Sequence, residues 1–301
     1  MDRLTATNVF IRSVDAGSFT EVAREMGTTQ PTISKLVAAL EASLGVQLLA
    51  RTTRSLALTE EGRRFYDEAL TAIDAFAAAE AAARGERGVR GNLRLGCPVA
   101  FGQAQIVPRL KRFLERHSEI NVDLVMSDAI LDPVEQGVDL AVRIGKLSDS
   151  TLRARKIGLT RRVIVASPNY FNASGRPDTP EALASHNCLL FTRLATGREW
   201  PFLTEKGTTL VKVSGRFQVD NSAGLYQALL SDLGIGMVPL WAVGDDLNAG
   251  RLERVLDDFE PVPFPIHAVS PPRRFTPPKV SAFIDFLAQE FRNDPIVSGD
   301  V

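Results

Sequence analysis

The stretch Thr29-Gln30-Pro31-Thr32-Ile33-Ser34-Lys35 gathers hydroxyl, amide and ammonium groups at what reads as the start of a helix. Polar side chains in that position can reach base edges and phosphates in a nucleic-acid groove. A second group, Arg51-Thr52-Thr53-Arg54, supplies the nearest cluster of cations for a phosphate backbone. Other chemistry finds little support. The three histidines, His117, His186 and His267, are scattered and fit no metal or triad spacing. No Gly-x-Gly-x-x-Gly or Walker pattern occurs. Two cysteines, Cys97 and Cys188, are too few and too far apart for a disulfide framework or a zinc site. No catalytic residue, metal or cofactor is therefore expected, and the chain does not read as an enzyme.

The elements that must position these residues are legible from caps and periodicity. Ser18 and Glu21 form a capping-box pattern, and Val22, Ala23 and Met26 put an apolar stripe on the helix that follows. Gly27 supplies a turn, and Thr28 or Thr29 can cap the next helix, in which Ile33, Leu36, Val37 and Leu40 point inward. An earlier helix carries Ala6, Val9, Phe10, Ile11 and Val14 and ends at Gly17. After Gly45, residues 46–49 and 55–58 alternate around the Arg-Thr-Thr-Arg tip as a hairpin, or wing. This is a helix-turn-helix pattern. An amphipathic helical hairpin in an ordinary core shows the same caps and stripes, so the pattern alone leaves both open.

Thr59 then caps a long Ala-rich helix reaching about Arg84. Tyr66, Ala69, Ile73, Phe76 and Ala83 recur at spacings of three and four, interrupted by Glu80, which favours packing against a second helix and hence self-association. The alternative is a surface helix packed on its own core. Net charge is −1 over 301 residues, and Arg24 and Lys35 are offset by Glu21, Glu25 and Glu41. Any DNA contact must rely on local cations and on dimerisation to supplement affinity. With 45% hydrophobic residues and a mean hydropathy of −0.01, the composition is that of a soluble globular chain. No apolar run is long enough to span a bilayer, and Met-Asp-Arg-Leu-Thr lacks a signal-peptide core, so a cytoplasmic location is expected.

Gly85, Gly88 and Gly91 mark a linker, and beyond it the texture changes. Residues 93–96, 122–126 and 138–144 look like strands, with helix-like stretches at 106–117 and 133–136. A second run follows: strands at 161–166, 210–213 and 235–238, a helix at 222–231, a strand at 266–270 and a last helix at 280–291. The alternation predicts mainly parallel sheets in two α/β lobes, with ligand collecting at the carboxyl ends of strands.

At this point the residues carry a family likeness. Gly17-Ser18-Phe19-Thr20, Thr29-Gln30-Pro31, Ile33-Ser34, Leu40-Glu41, Leu44-Gly45-Val46, Leu48, Arg51, Leu58-Thr59 and Gly62 resemble the signature of LysR-type transcriptional regulators. Residues 135–145, His186-Asn187-Cys188-Leu189 and residues 234–239 resemble that family's effector-binding domain, so the likeness covers nearly the whole chain. Val22, Met26 and Leu49 stand where the family usually has alanine, leucine and phenylalanine, all apolar for apolar.

The resemblance implies an α/β fold with an all-α, winged N-terminal domain: a winged helix-turn-helix at 1–58, a linker and dimerisation helix with hinge at 59–91, and an effector-binding domain at 92–301. That domain would resemble periplasmic binding proteins, with subdomain I at about 92–161 and 266–292 and subdomain II at about 162–265. By similarity Thr29, Gln30, Pro31, Thr32, Ser34, Lys35, Arg51, Thr52 and Arg54 would face DNA. Gln30 would pair with adenine and Pro31 would contact a thymine methyl. Pro98, Val99, Ala100, Phe101, Ser127, Arg143, Phe191, Thr192, Asn221, Gly236 and Met237 would line the effector cleft. Many relatives carry Ser or Thr near position 99 to bind a ligand carboxylate. Val99 and Ala100 here point to an aromatic or largely apolar effector. The implied partners are a double-stranded DNA operator, that effector, and further copies in a homodimer or homotetramer, with no membrane. Alternatives are a redox-sensing regulator using Cys97 and Cys188, or a small-molecule-binding protein or enzyme without DNA binding.

Overall fold

The computed structural model describes residues 2–51, 56–83, 89–129, 137–147, 152–204, 207–272 and 276–298. The chain divides into two compact units, Met1–Gly88 and Val89–Val301. In the first, helix α1 (Arg3–Ala16) starts where Asp2 accepts the Leu4 and Thr5 N–H groups. It ends at Gly17, whose φ of 62° is left-handed. Helices α2 (Phe19–Glu25) and α3 (Gln30–Leu44) follow, α2 capped by Ser18 accepting from Glu21 N–H at 3.4 Å. Strands β1 (Leu49–Arg51) and β2 (Leu56–Leu58) pair antiparallel. Helix α4 (Glu60–Ala83) completes the unit.

One core holds these elements: Val9 and Phe10 of α1, Val22 of α2, Ile33, Val37 and Leu40 of α3, Leu48, and Ala69 of α4. Met26, expected in the inward stripe, lies at the end of α2 and is 38% exposed. The first half of α4 belongs to this core: Ala69 is buried, and Phe65, Tyr66 and Ile73 pack against it. The Tyr66 hydroxyl bonds Asp15. The stripe expected to meet a second copy is therefore largely occupied by the unit's own core, leaving Phe76 47% exposed. The entry of α4 is equally tied down. Thr59 Oγ1 donates to Gln47 O at 2.7 Å and accepts Gly62 N–H at 2.9 Å. A Cβ at Gly62 would stand 1.9 Å from Leu48 O, so only glycine admits this approach.

The second unit comprises β3 (Arg90–Cys97), α5 (Val99–Phe101), a π-helical turn at Gly102–Ile106, α6 (Val107–Arg116), β4 (Glu119–Met126), β5 (Leu140–Ile144) and β6 (Arg153–Thr160). It continues through β7 (Arg162–Ala166), α7 (Pro168–Ser174), β8 (Leu190–Phe191), β9 (Glu199–Thr204), β10 (Gly207–Lys212) and β11 (Gln218–Val219). It closes with α8 (Ser222–Leu230), β12 (Gly236–Pro239), α9 (Leu240–Asn248), β13 (Glu253–Val255), β14 (Phe264–Ser270) and α10 (Pro278–Arg292).

Lobe I is a five-stranded sheet in the order β4-β3-β5-β14-β6. Leu93, Leu95 and Cys97 alternate into its core, which α10 covers with Val280, Phe283, Ile284, Leu287 and Phe291 at helical spacing. Lobe II is built on β12-β7-β13, with the β9–β10 hairpin and the β8–β11 pair beside it. Every residue of β7 is buried: Val163 and Val165 enter one core, Ile164 and Ala166 another. The sheets are mixed rather than mainly parallel. Among the described strands β3 runs parallel to β4 and β5, and β8 to β11, whereas β14 is antiparallel to both neighbours and β7 to both of its own. The reason is topological: β14 re-enters lobe I from lobe II, travelling opposite to strands laid down on the outward path.

A buried ion pair fastens lobe I. Lys279 Nζ donates to Asn92 O at 2.6 Å and stands 3.3 Å from Asp139 Oδ2, with both side chains under 10% exposed. The same oxygen accepts Arg94 N–H at 3.1 Å. Asp139, in one of the stretches that carry the family likeness, thus joins β3 to α10. We expect Asp139→Ala to lower stability by about 3–5 kcal/mol, because it removes the counter-charge of a buried ammonium, measured as a fall in the urea midpoint. We expect Gly62→Ala to cost about 1–3 kcal/mol by forcing α4 off Leu48, with the same readout.

Candidate functional site

Burial of Ile33, Val37 and Leu40 orients α3 so that Thr29, Gln30, Pro31, Thr32 and Lys35 are exposed and Ser34 is half-buried. Thr29 occupies the N-cap position without capping the backbone; its hydroxyl pairs instead with that of Thr32 at 2.9 Å. The helix therefore opens to solvent with its positive dipole end uncovered by a side chain. Further along α3, Glu41 accepts Leu48 N–H at 2.8 Å and Leu49 N–H at 3.1 Å, which fixes the base of the β1–β2 hairpin to α3. Glu25 is paired with Arg12 at 2.6 Å. Two of the carboxylates that offset the local cations are thus already engaged. Thr52 and Arg54, expected at the hairpin tip, lie outside the described residues, as does the Arg51 side chain.

In the second unit a helical run opens at Val99, with Pro98 at its N-cap position, and continues through the π turn into α6. Pro98, Val99 and Ala100 are half-buried at its mouth. The first N–H, of Val99, donates to Asp128 Oδ1 at 2.9 Å, and Asp128 Oδ2 accepts Ser222 N–H from α8 in the other lobe at 3.2 Å. Ser127 precedes this carboxylate, and Asn221 precedes Ser222 and caps α8 through Gly224 N–H at 2.7 Å. Pro98, Val99, Ala100, Ser127 and Asn221 are thereby brought together. On the lobe II side Phe191 pairs with Val219 in the β8–β11 ladder, and Thr192 N–H donates to Val219 O at 2.9 Å, which sets both beside the strand that leads into Asn221.

Two expected cleft residues, Phe101 and Met237, are turned into cores, and Gly236 and Arg143 meet residues of their own lobes. Phe101 is fully buried, packed edge-on against Trp241 at 5.5 Å and Phe291 at 6.0 Å. Met237 is buried in the lobe II core, and Gly236 lies against Leu229, where an added Cβ would be 3.1 Å from a methyl. Arg143 stands opposite His267 in the β5–β14 ladder. Three residues that matter to the lobe junction were absent from the sequence reading. Asp128 ends the Ser127-Asp128 step directly after β4, a strand carboxyl end where ligand chemistry is expected. Arg162 is buried on the crossing from β6 to β7, its guanidinium 3.6 Å from the Phe264 ring centroid and bonded to Val262 O at 3.2 Å on the return crossing. Burial brings its pKa down to about 9. Trp241 of lobe II donates to Thr160 Oγ1 at 2.9 Å. An arginine opening an otherwise apolar run was the available signal for Arg162.

Comparisons with known proteins agree with both halves. A family model for bacterial regulatory helix-turn-helix proteins of the lysR family matches residues 4–63, and one for the LysR substrate binding domain matches residues 86–292. The chain is 33% identical over 288 residues to the HTH-type transcriptional regulator CrgA of Neisseria meningitidis serogroup C, covering 95% of this chain and 96% of that one. It is 31% identical to the HTH-type transcriptional activator AaeR of Escherichia coli, covering 97% and 94%. Among solved structures, CrgA of Neisseria meningitidis matches with a TM-score of 0.60 at 32% identity, covering 95% of this chain and 98% of the other. The full-length Vibrio cholerae virulence activator AphB matches with a TM-score of 0.56 at 32% identity, with the same coverage.

The cysteines lie in separate cores, Cys97 in lobe I and Cys188 in lobe II, at 2% and 0% exposure. Burial, with the Asp128 charge adding at Cys97, pushes both thiols up to about 12. At pH 8 that leaves a thiolate fraction of about 1 in 10,000. Neither thiol is expected to react with a disulfide reagent in the native chain, whereas both should react on unfolding. Rapid native labelling of either would reopen a redox role.

Proposed function

The chain belongs to the LysR family of transcriptional regulators, DNA-binding proteins with an effector-binding regulatory domain, and we propose that it reads its operator with the N-terminal end of α3. In this reading Gln30 pairs with an adenine edge, Pro31 rests on a thymine methyl, and Thr29, Thr32, Ser34 and Lys35 hold phosphates or base edges. Arg51, Thr52 and Arg54 on the hairpin meet phosphates or the adjacent minor groove. The observation that carries this is the exposure of Gln30, Pro31, Thr32 and Lys35 at a helix start whose other face is locked into a core.

The effector reading rests on the residues gathered at the lobe junction. Pro98, Val99, Ala100, Ser127, Phe191, Thr192 and Asn221 would contact a small molecule of aromatic or largely apolar character. Self-association would use the outer half of α4, where Phe76 is exposed. No described helix is long and apolar enough to cross a membrane. The reading as a DNA-binding regulator places its action in the cytoplasm.

Mobility-shift titrations at several salt concentrations test the DNA face. Lys35→Ala and Arg54→Ala should weaken operator binding across sequences and reduce the slope of log K against log salt by about one each. Gln30→Ala should weaken the cognate operator by about tenfold or more while leaving non-specific binding unchanged. Thermal midpoints should match the parent. Unchanged affinities at matched salt would sink the assignment.

A further inference from the structure

Two helices, one from each lobe, begin against the same carboxylate. Asp128 accepts Val99 N–H on one oxygen at 2.9 Å and Ser222 N–H on the other at 3.2 Å. Neither donor has a partner within its own helix, because the first N–H groups of a helix precede any i−4 carbonyl. Pro98 offers no side-chain cap to the lobe I helix, and Asn221 satisfies only Gly224 in the lobe II helix. The loop bearing Asp128 is itself held: Ser127 N–H donates to Cys97 O at 3.0 Å, and Ser127 Oγ accepts Ala129 N–H at 3.2 Å.

We propose that Asp128 is a latch between the lobes that also makes the cleft selective for effectors lacking a free carboxylate. Paired N–H groups at helix starts favour an anion, and here the anion is the chain's own. A ligand carboxylate would have to displace Asp128 or sit beside it, where like charges repel. Val99 and Ala100 provide no hydroxyl to hold it otherwise, and the Ser127 and Thr192 hydroxyls are engaged with Ala129 N–H and Val219 O. A neutral, apolar ligand meets neither obstacle. If it binds better with the lobes parted, it must break both Asp128 bonds, so its affinity is coupled to lobe opening. The selectivity rests on the reading of this junction as the effector cleft; the latch does not.

The full chain tests the latch without effector or operator. In hydrogen exchange followed by NMR, the Val99 and Ser222 amides should be protected in the parent and exchange rapidly in Asp128→Ala. The thermal midpoint of Asp128→Ala should fall by about 4 °C or more for the loss of two charge-assisted bonds. Sodium acetate should restore much of that fall relative to sodium chloride at equal ionic strength, while the parent responds alike to both salts. Asp128→Asn keeps one acceptor oxygen and should leave one of the two amides protected, which preserves the test if the alanine variant does not fold. Rapid exchange of either amide in the parent, or no change in either variant, overturns the latch. A midpoint fall that acetate and chloride restore equally overturns the anion seat. The effector-cleft reading fails separately, if neutral aromatic ligands that stabilise the parent leave exchange at Val99 and Ser222 untouched.

Discussion

Strand β14 hydrogen-bonds to β5 on one side and to β6 on the other, although the whole of lobe II intervenes in sequence between them and it. Lobe I is incomplete until the chain has left it and returned. Two crossings result, near Thr160–Arg162 and Pro261–Phe264, and the buried Arg162 ties them together through Val262 and Phe264. Helix α10 can cover the lobe I sheet only after β14 is placed, and Lys279 then reaches Asp139 and Asn92.

Helix starts differ in how their free N–H groups are satisfied. Asp2, Ser18, Thr59, Ser167 and Asn221 satisfy free N–H groups locally. Val99 has no local cap and takes a carboxylate from another loop, consistent with the cost of leaving a half-buried donor unpaired. The start of α3 takes neither course: Thr29 turns its hydroxyl to Thr32, and the end stays exposed. Water can satisfy an exposed donor, so nothing in the fold requires a cap where a nucleic acid would dock.

Much of the smaller unit was legible because its structure is local. Caps, glycine stops and spacings of three and four act over a few residues, so Ile33, Val37 and Leu40 could be placed inward without knowing what they met. Met26 was misjudged, and the α4 stripe kept two readings, for the complementary reason. Periodicity identifies an apolar face but not its partner, and α1 proved to supply Phe10 against both Phe65 and Tyr66. In the larger unit the positions of β3, β4, β5, β7, β10, β12 and β14 were readable, whereas β6, β9 and β13 were missed. Strand direction was not readable, since a strand's residues look the same whichever way its neighbour runs. Phe101, Gly236 and Met237 occupy suitable positions along the chain yet face cores, because side chains on a strand or helix divide between two faces.

By itself the sequence determined the element order and helix boundaries of the DNA-reading unit, the polar face of α3 and the family. These depend on residue type and short spacing, which the chain carries in linear form. Tertiary structure alone decided what α4 packs against, that β14 closes lobe I, that Arg162 binds one crossing to the other, and that Asp128 meets Val99 and Ser222 at once. Each is a meeting of groups far apart in sequence, often through backbone N–H or C=O groups that every residue possesses. No pattern of side chains distinguishes the amide of Ser222 from its neighbours; only the folded path brings it to a carboxylate.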